Sequence, residues 1–594
     1  MCGISALYKF TQITDSDREK LGRMNREMCY RGPDENEIWT DDICGLAHTR
    51  LSIIGLENGK QPLFNEDKSL VLICNGEIYN YVELKKQLES LGHIFNSDTD
   101  SEVIVHLYEE HGIKCLDYLR GMFAFCLWNR KTKQLFAARD RVGEKTLYYA
   151  QLPTGIVFCT ELKTILKYHL EKYQLDIHAL AESIRYNYPL DLKNTYIEQI
   201  KRLRAGEYAL VDQKGLETHF YWKRDLTPRF SGSFTEAKNE TLRLLRESVN
   251  ICLRSDVPVA VLLSGGIDSS AIAALAKETG REVHTITAGY KGQHNCDERK
   301  VARRFAKEKG LIYHEVELDA NDFQQLFYEY TNFIDEPVCD VSSMSQWALY
   351  KKAKEMGFTV LLGGIGGDEL FYGYPQWNAI AESLKLKHEH QNLFPWKGIQ
   401  KKKDFLKFML KNWKYVLYAG YPDKIDDRAI IPWTYNDYMR FAATGSLEHN
   451  LENIFFENID VHVSFEDKKY EIDRIYNHGF YTFMNTLCLY LSDRLGMGNS
   501  MEIRSPLVDY KFVEFISSLP SEMKYKKNEP KYFLKETLKD IVPDYILYAP
   551  KRGFTPPFDF IYEMNDNYKY KVLQSQHVFF NSMLADRLLN LLLK

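Results

Sequence analysis

A thiol, a group of carboxylates and two glycine-rich loops carry most of the chemistry legible in this 594-residue sequence. The thiol is Cys2. Once the initiator methionine is removed, its Sγ and the chain's own α-amine share one carbon skeleton. A free thiol is only a few per cent thiolate at pH 7. The α-amine titrates near ~8, so it can take the thiol proton, and Cys2 becomes a nucleophile carrying its own base. Four downstream segments suit capture of a free amino acid: RGPDEN from Arg31, HTRLSI with Arg50, NGEIYN from Asn75, and SDTDSEV with Asp100. Arg50 fits a bidentate grip on an α-carboxylate. Glu77 and Asp100 fit an α-ammonium, and the Asn75 amide with the Gly76 N–H fits an oxyanion. Each segment alone has a plainer reading, since Asn-Gly is a hairpin signal and a single arginine is usually solvated.

The second loop system is sharper. VAVLLSGGIDSS, residues 259–270, reads as a buried strand, a turn and a helix. Its glycines let backbone N–H groups wrap an anion at a helix N-terminus. Ser264, Ser269 and Ser270 add hydroxyls. Asp268 beside a phosphate calls for a cation between them, so Mg²⁺ is implied. No G-x-x-x-x-G-K-[ST] pattern occurs, which excludes a Walker A loop. A second loop, VLLGGIGGDELFYGY at residues 360–374, offers close approach at Gly363 and Gly364 and a second carboxylate at Asp368.

These groups need elements to hold them. The first ~210 residues alternate short apolar runs with turn signals and two helix-like stretches, YVELKKQLESLG and SEVIVHLYEEHG, an α+β pattern. A polar connection containing Pro228 and Gly232 follows. Strand-like and helix-like runs then alternate, which predicts a parallel doubly wound α/β sheet with both loops at its carboxyl edge. After Tyr374 about 120 residues read as helical. They include a solvated Lys401–Lys403 run and two histidines, His388 and His390, too close in spacing for a metal pair on a helix.

Composition sets the outer limits. Lys+Arg 77 against Asp+Glu 82 gives a net charge of −5, without the basicity of a nucleic-acid binder. No apolar run approaches a membrane span of ~20 residues. The start of the chain lacks signal-peptide features. Eleven cysteines without a C-x-x-C pair read as free thiols, ten of them buried, in a reducing cytoplasm.

The N-terminal set resembles the class II glutamine amidotransferase domain, an N-terminal-nucleophile fold of stacked antiparallel sheets with helices. The resemblance implies Cys2 as nucleophile and an oxyanion hole at Asn75 and Gly76. It places glutamine contacts at Arg50, Leu51, Ser52, Ile53, Ile54, Asn75, Gly76, Glu77 and Asp100. RDRVGEKTLYY, from Arg139, matches a further signature but has Thr146 where proline is usual. The SGGIDSS loop resembles that of N-type ATP pyrophosphatases, which form acyl-adenylates. With DRLGMGNSMEIRSPLVD (residues 493–509), PKYFLKETL (530–538) and KRGF (551–554), the whole chain resembles the glutamine-hydrolysing asparagine synthetase family. That implies a glutaminase domain over 1–215 and a synthetase domain over 236–594, its C-terminal part helical. Aspartate and ATP would give β-aspartyl-AMP, and ammonia from glutamine would reach it through an internal tunnel. ATP contacts are implied at Leu263, Ser264, Gly265, Gly266, Asp268, Ser269, Ala288, Gly363 and Gly364, with Mg²⁺ on Asp268 and Asp368 and catalytic help from Lys531. Small-molecule substrates, no nucleic acid, no membrane and a homodimer are the expected partners.

One departure bears on the acceptor. The family's second loop commonly reads S-G-E-G-x-D-E, and its first glutamate aids adenylate formation. Ile365 stands there in this chain, and Glu369 is the nearest residue to inherit the role. This departure and the long stretch after Tyr374 keep open a different carboxylate acceptor, such as a uronic acid of a surface polysaccharide. A non-enzymatic glutamine or nucleotide sensor is the third reading, disfavoured by the intact Cys2 and SGGIDSS.

Overall fold

The computed structural model describes residues 2–382, apart from five single positions, and 471–550, together with Pro556, Pro557, Phe560 and Arg587. The histidines at 388 and 390, the 401–403 lysines, most of the stretch after Tyr374 and KRGF lie outside the described residues.

The N-terminal part is built on two six-stranded antiparallel sheets. The first runs, in spatial order, Ile200–Arg202, Tyr148–Leu152, Gly155–Cys159, Gly3–Lys9, Cys44–Arg50 and Glu35–Thr40. The second runs Gly215–Phe220, Glu207–Asp212, Gln134–Arg139, Gly121–Asn129, Leu70–Ile78 and Leu63–Phe64. Side chains alternate along each strand, so one set from each sheet meets in a shared core holding Ile4, Tyr8, Leu46, Ile73, Trp128 and Ala137. The opposite set packs on helices. Leu84, Leu107 and Phe125 meet behind the second sheet, and Leu7, Met24, Ile165 and Val157 behind the first.

Four α-helices here exceed the two expected: Asp15–Glu27, the single turn Cys115–Tyr118, Leu162–His169 and Ile177–Tyr186. The first begins with a reciprocal capping box between Thr14 and Asp17. Its helical signal was hidden by strongly polar composition, with only Leu21 and Met24 as large buried apolar side chains.

Ser233 and Glu236 form a second capping box that starts the helix Phe234–Cys252. Beyond it lies a five-stranded parallel sheet in the order Ile312–Leu318, His284–Tyr290, Val259–Leu262, Val360–Leu362, Glu502–Arg504. Apolar clusters cover both faces, one around Ile286, Leu361 and Trp347, the other around Val261, Leu362 and Phe512. The chain winds outward from Val259–Leu262 in one direction and then jumps to Val360–Leu362 on its other side. That reversal opens a crevice at the carboxyl ends of these two strands, where doubly wound sheets bind ligands. The fold is mixed α/β and α+β, as the sequence patterns required. Among the described residues no helix is long and apolar enough to cross a membrane.

Ten cysteines are described, and none of them is paired in a disulfide. Cys29, Cys296 and Cys488 are only partly buried, which corrects the expectation of uniformly buried thiols. Cys2, expected to stand apart from any core, is itself 6% exposed.

Candidate functional site

Cys2 precedes the strand Gly3–Lys9, which lies in the middle of the first sheet. Its backbone N–H donates to Asn75 Oδ1 at 3.0 Å, and its carbonyl accepts from Arg31 Nε at 3.1 Å. Burial pushes the thiol pKa up. The N-terminal charge, the Leu51 backbone and Arg50 pull against it without cancelling it. Asn75 sits in the strand Leu70–Ile78, fully buried, and its Nδ2 has no hydrogen-bond partner among the described residues. An unsatisfied buried amide N–H is costly, and beside a nucleophile it is a donor waiting for an acceptor. Gly76 follows on the same strand, opposite Phe123.

Arg50 is 3% exposed and anchored by its surroundings. Its Nη2 donates to the carbonyls of Ile54 and Gly55 at 3.2 and 2.6 Å, and its Nη1 meets Glu35 at 3.1 Å. The side chains of Leu51, Ile53 and Ile54 are packed into an apolar core shared with the parallel-sheet half. Whatever these three offer a ligand therefore comes from their backbone, not their side chains. Ser52 is partly buried, its N–H donating to Asp34 at 2.7 Å.

Glu77 and Asp100 form the acidic part. Asp100 Oδ2 accepts the Ile78 N–H at 2.5 Å, and its Oδ1 accepts the Thr99 hydroxyl at 3.2 Å. Burial pushes its pKa up to about 6 against the pull of those hydrogen bonds. Glu77 is pushed well above the usual carboxylate range by burial first, then by the negative charges of Asp100 and Glu502. Arg504 Nη2 reaches Glu77 Oε2 at 3.4 Å, and Arg504 Nε donates to Glu502 at 2.6 Å. Three carboxylates thus face one guanidinium, an imbalance that an ammonium would relieve. Glu502 and Arg504 were not among the expected site residues. They lie inside the 493–509 segment, whose role no local pattern disclosed.

The second centre occupies the crevice of the parallel sheet. Val259–Leu262 leads into the loop, and Gly266 caps the helix Ile267–Glu278. Ser269 Oγ accepts the Ser264 N–H at 3.0 Å and lies 2.9 Å from Ser264 Oγ, closing the turn. Leu263 N–H donates to the Ile286 carbonyl at 3.0 Å, which fixes the loop beside the strand carrying Ala288. From the neighbouring strand, Gly363 N–H donates to the Arg504 carbonyl at 2.8 Å, and Gly364 passes close over Asp268. Lys531 joins both loops, meeting Asp268 Oδ2 and, at 2.9 Å, Asp368 Oδ1. Burial disfavours its charge, but the two carboxylates outweigh burial and raise its pKa above that of an ordinary lysine.

Lys531 adopts φ +58, and a non-glycine residue in the left-handed region marks a backbone held in place by its surroundings. A Cβ on Gly367 would overlap the Asp268 carboxylate, and one on Gly373 would overlap Asp368 and the Lys531 stem. The glycines are what allow the two aspartates and the lysine to converge. Carboxylate oxygens are the donors a hard divalent cation prefers, so the Asp268–Asp368 pair fits Mg²⁺.

Ile365 is packed against the apolar core. Glu369 is 3% exposed and accepts the Tyr374 hydroxyl at 2.5 Å, so its carboxylate holds the loop. Thr146 keeps its turn intact without proline. Asp140 accepts the N–H groups of Gly143, Glu144 and Lys145, and the Thr146 hydroxyl donates to Thr160 at 3.0 Å.

The two centres share a buried polar boundary. Arg31 meets Asp493 at 2.8 Å, Lys145 meets Asp493 at 3.5 Å, and Arg494 meets Glu161 at 2.9 Å and Asp335 at 3.3 Å.

Residues 1–222 match the glutamine amidotransferase domain model, and residues 240–590 match the asparagine synthase model. The chain belongs to the asparagine synthase family. It is 31% identical over 578 residues to asparagine synthetase [glutamine-hydrolyzing] 1 of Bacillus subtilis, covering 94% of this chain and 87% of that one. Asparagine synthetase [glutamine-hydrolyzing] 3 of the same organism is 29% identical over 93% of this chain and 87% of its own length. An amidase, chry2, of Gibberella zeae is also 29% identical, over 94% of this chain and 89% of its own. As a family member the chain is a glutamine-hydrolysing carbon–nitrogen ligase that works on small molecules with ATP as co-substrate.

Proposed function

We propose that this asparagine synthase family member makes asparagine from aspartate, ATP and glutamine. With the initiator methionine removed, the Cys2 α-amine takes the Sγ proton while the thiolate attacks the glutamine γ-carbonyl. The unpartnered Asn75 Nδ2 then has an oxyanion to bind, and the Gly76 N–H supplies a second donor. The α-ammonium of glutamine is received by Glu77 and Asp100. Expulsion of ammonia leaves a γ-glutamyl thioester, which water cleaves to glutamate. In the parallel-sheet crevice the Ser264–Ser269 turn cradles pyrophosphate, and Lys531 neutralises charge as the carboxylate of aspartate displaces it from ATP. Mg²⁺, held by Asp268 and Asp368, would supply further neutralisation at the phosphates. Ammonia crossing the buried boundary attacks the adenylate and releases AMP.

The observation that carries this reading is the convergence of Asp268, Asp368 and Lys531 at the switch point, with Cys2 and Asn75 across one continuous interface. Ile365 favours a second reading, in which the acceptor is another carboxylate, since the charge usual at that position is missing. Pyrophosphate release is measured with ATP, Mg²⁺ and ammonia against aspartate and a panel of other carboxylates. Aspartate-dependent release is expected. Its absence, with release on another acid, would select the second reading. Cys2→Ala should keep this ammonia-supported release and lose the glutamine-supported one.

A further inference from the structure

Away from both centres, on the outer helical layer behind the second sheet, Glu66, His93, His106 and Glu109 bring one ligand atom each within 4.8 Å of one another. They come from three separate places: the turn after Leu63–Phe64, the turn after Tyr81–Ser90, and the helix Val103–His111. His93 Nδ1 lies 3.3 Å and His106 Nδ1 3.6 Å from the same oxygen, Glu66 Oε1. Tetrahedral Zn²⁺ with bonds of ~2.0–2.1 Å separates neighbouring ligand atoms by about 3.3–3.4 Å. The spacing is already that of a coordination edge.

The rings are oriented for the task. Each histidine turns Nδ1 toward Glu66 and Nε2 toward an outer carboxylate, His93 to Glu110 at 3.0 Å and His106 to Glu102 at 3.6 Å. A carboxylate behind the far ring nitrogen is the usual support of a metal-bound imidazole, because it fixes the tautomer that leaves the near nitrogen's lone pair free. His106 is fully buried, and its two ring nitrogens face the Glu66 and Glu102 carboxylates at 3.6 Å each, longer than a formed hydrogen bond. None of the four glutamates makes an ion pair with lysine or arginine among the described residues. Glu66 also accepts the Ile94 N–H at 2.9 Å and Glu109 the Asn65 amide at 3.3 Å, but negative charge gathered around a buried imidazole at these loose distances is still costly unless something positive sits among them.

We propose that Glu66, His93, His106 and Glu109 form a tetrahedral site for Zn²⁺ or a similar borderline divalent cation, serving as a structural brace. Glu102 connects the brace to the glutamine site. It accepts the N–H groups of Asn96 and Ser97, both at 2.7 Å, and so shapes the segment that carries Asp100.

The test uses the full-length enzyme after chelation and dialysis. Zn²⁺ is titrated against a competing chromophoric chelator, and Co²⁺ is used as a spectroscopic probe. Because cations also reach the Asp268–Asp368 pair and Cys2, the readout is the difference between wild type and Glu66→Gln/His93→Ala, positions on the outer layer. Wild type is expected to bind one more Zn²⁺ per chain than the double variant, and the wild-type-minus-variant Co²⁺ difference spectrum is expected to show four-coordinate absorption. Zn²⁺ is expected to raise the melting temperature of wild type alone. Glu110→Gln, which removes only an outer carboxylate, should weaken binding about 10–100-fold. Equal stoichiometry in wild type and double variant, or no four-coordinate Co²⁺ absorption in their difference spectrum, overturns the site.

Discussion

Asp100 sets the most specific expectation at the scale of single residues. Its carboxyl is raised by burial to about 6, so it is neutral below that pH and an anion above it. Only the anion attracts the α-ammonium of glutamine. On the proposed role, kcat/KM for glutamine should fall about a further tenfold per pH unit below pH ~6, on top of the fall set by protonation of the Cys2 α-amine near ~8. Activity supported by a fixed concentration of NH₃ should follow neither limb. In Asp100→Asn the added steepening below pH ~6 should vanish and leave a lower profile with the α-amine limb alone; steepening that survives the substitution belongs to another group. The same shift has a stability sign. The folded carboxyl holds its proton more tightly than the unfolded one, so its contribution falls as pH rises from about 4 to about 6. Cys2, Asn75 and Asp100 were legible because their residue types declare a chemistry. Arg504 was not, because it stands more than 400 positions from Glu77 and nothing local says what it faces.

At the scale of elements, the loops were readable and the reason for their glycines only partly so. The order strand, SGGIDSS, helix predicts an anion cradle, and the parallel sheet places it at the switch point. The sequence could not show that Gly367 is small because of Asp268, a residue on the other loop. Gly367→Ala should push the Asp268 carboxylate away from Lys531. ATP–pyrophosphate exchange is expected to drop at least ~100-fold, about 2.7 kcal/mol of barrier, while glutamine hydrolysis persists. Exchange at the wild-type rate would show that the two loops need not approach so closely. The helix Asp15–Glu27 makes the complementary point, since its polar surface masked the period while the Thr14–Asp17 box marked its start.

At the scale of the whole molecule, the two halves are joined by charges rather than by an apolar seam alone. Asp493 is 1% exposed at its side chain and answers both Arg31 and Lys145, themselves 0% and 2% exposed. Arg31 also holds the Cys2 carbonyl, so one carboxylate of the synthetase half steadies the nucleophile of the other. Replacing a buried pair by apolar groups is often harmless, but removing one partner strands a charge and costs about 3–5 kcal/mol. Asp493→Ala should therefore lower the melting temperature by several degrees. It should also uncouple the two reactions. With Arg31 released, Cys2 loses a backbone restraint and the boundary that ammonia must cross loosens, so glutamate should form in excess of pyrophosphate. Arg31→Met in the same background removes one of the two cations that Asp493 answered, leaving Arg31's looser partner Glu161, at 3.7 Å, to Arg494, and should recover part of the lost stability, because part of the penalty lies in the under-compensated charge. If glutamate and pyrophosphate stay equal in Asp493→Ala and the melting temperature does not move, the boundary is not what ties the two centres together.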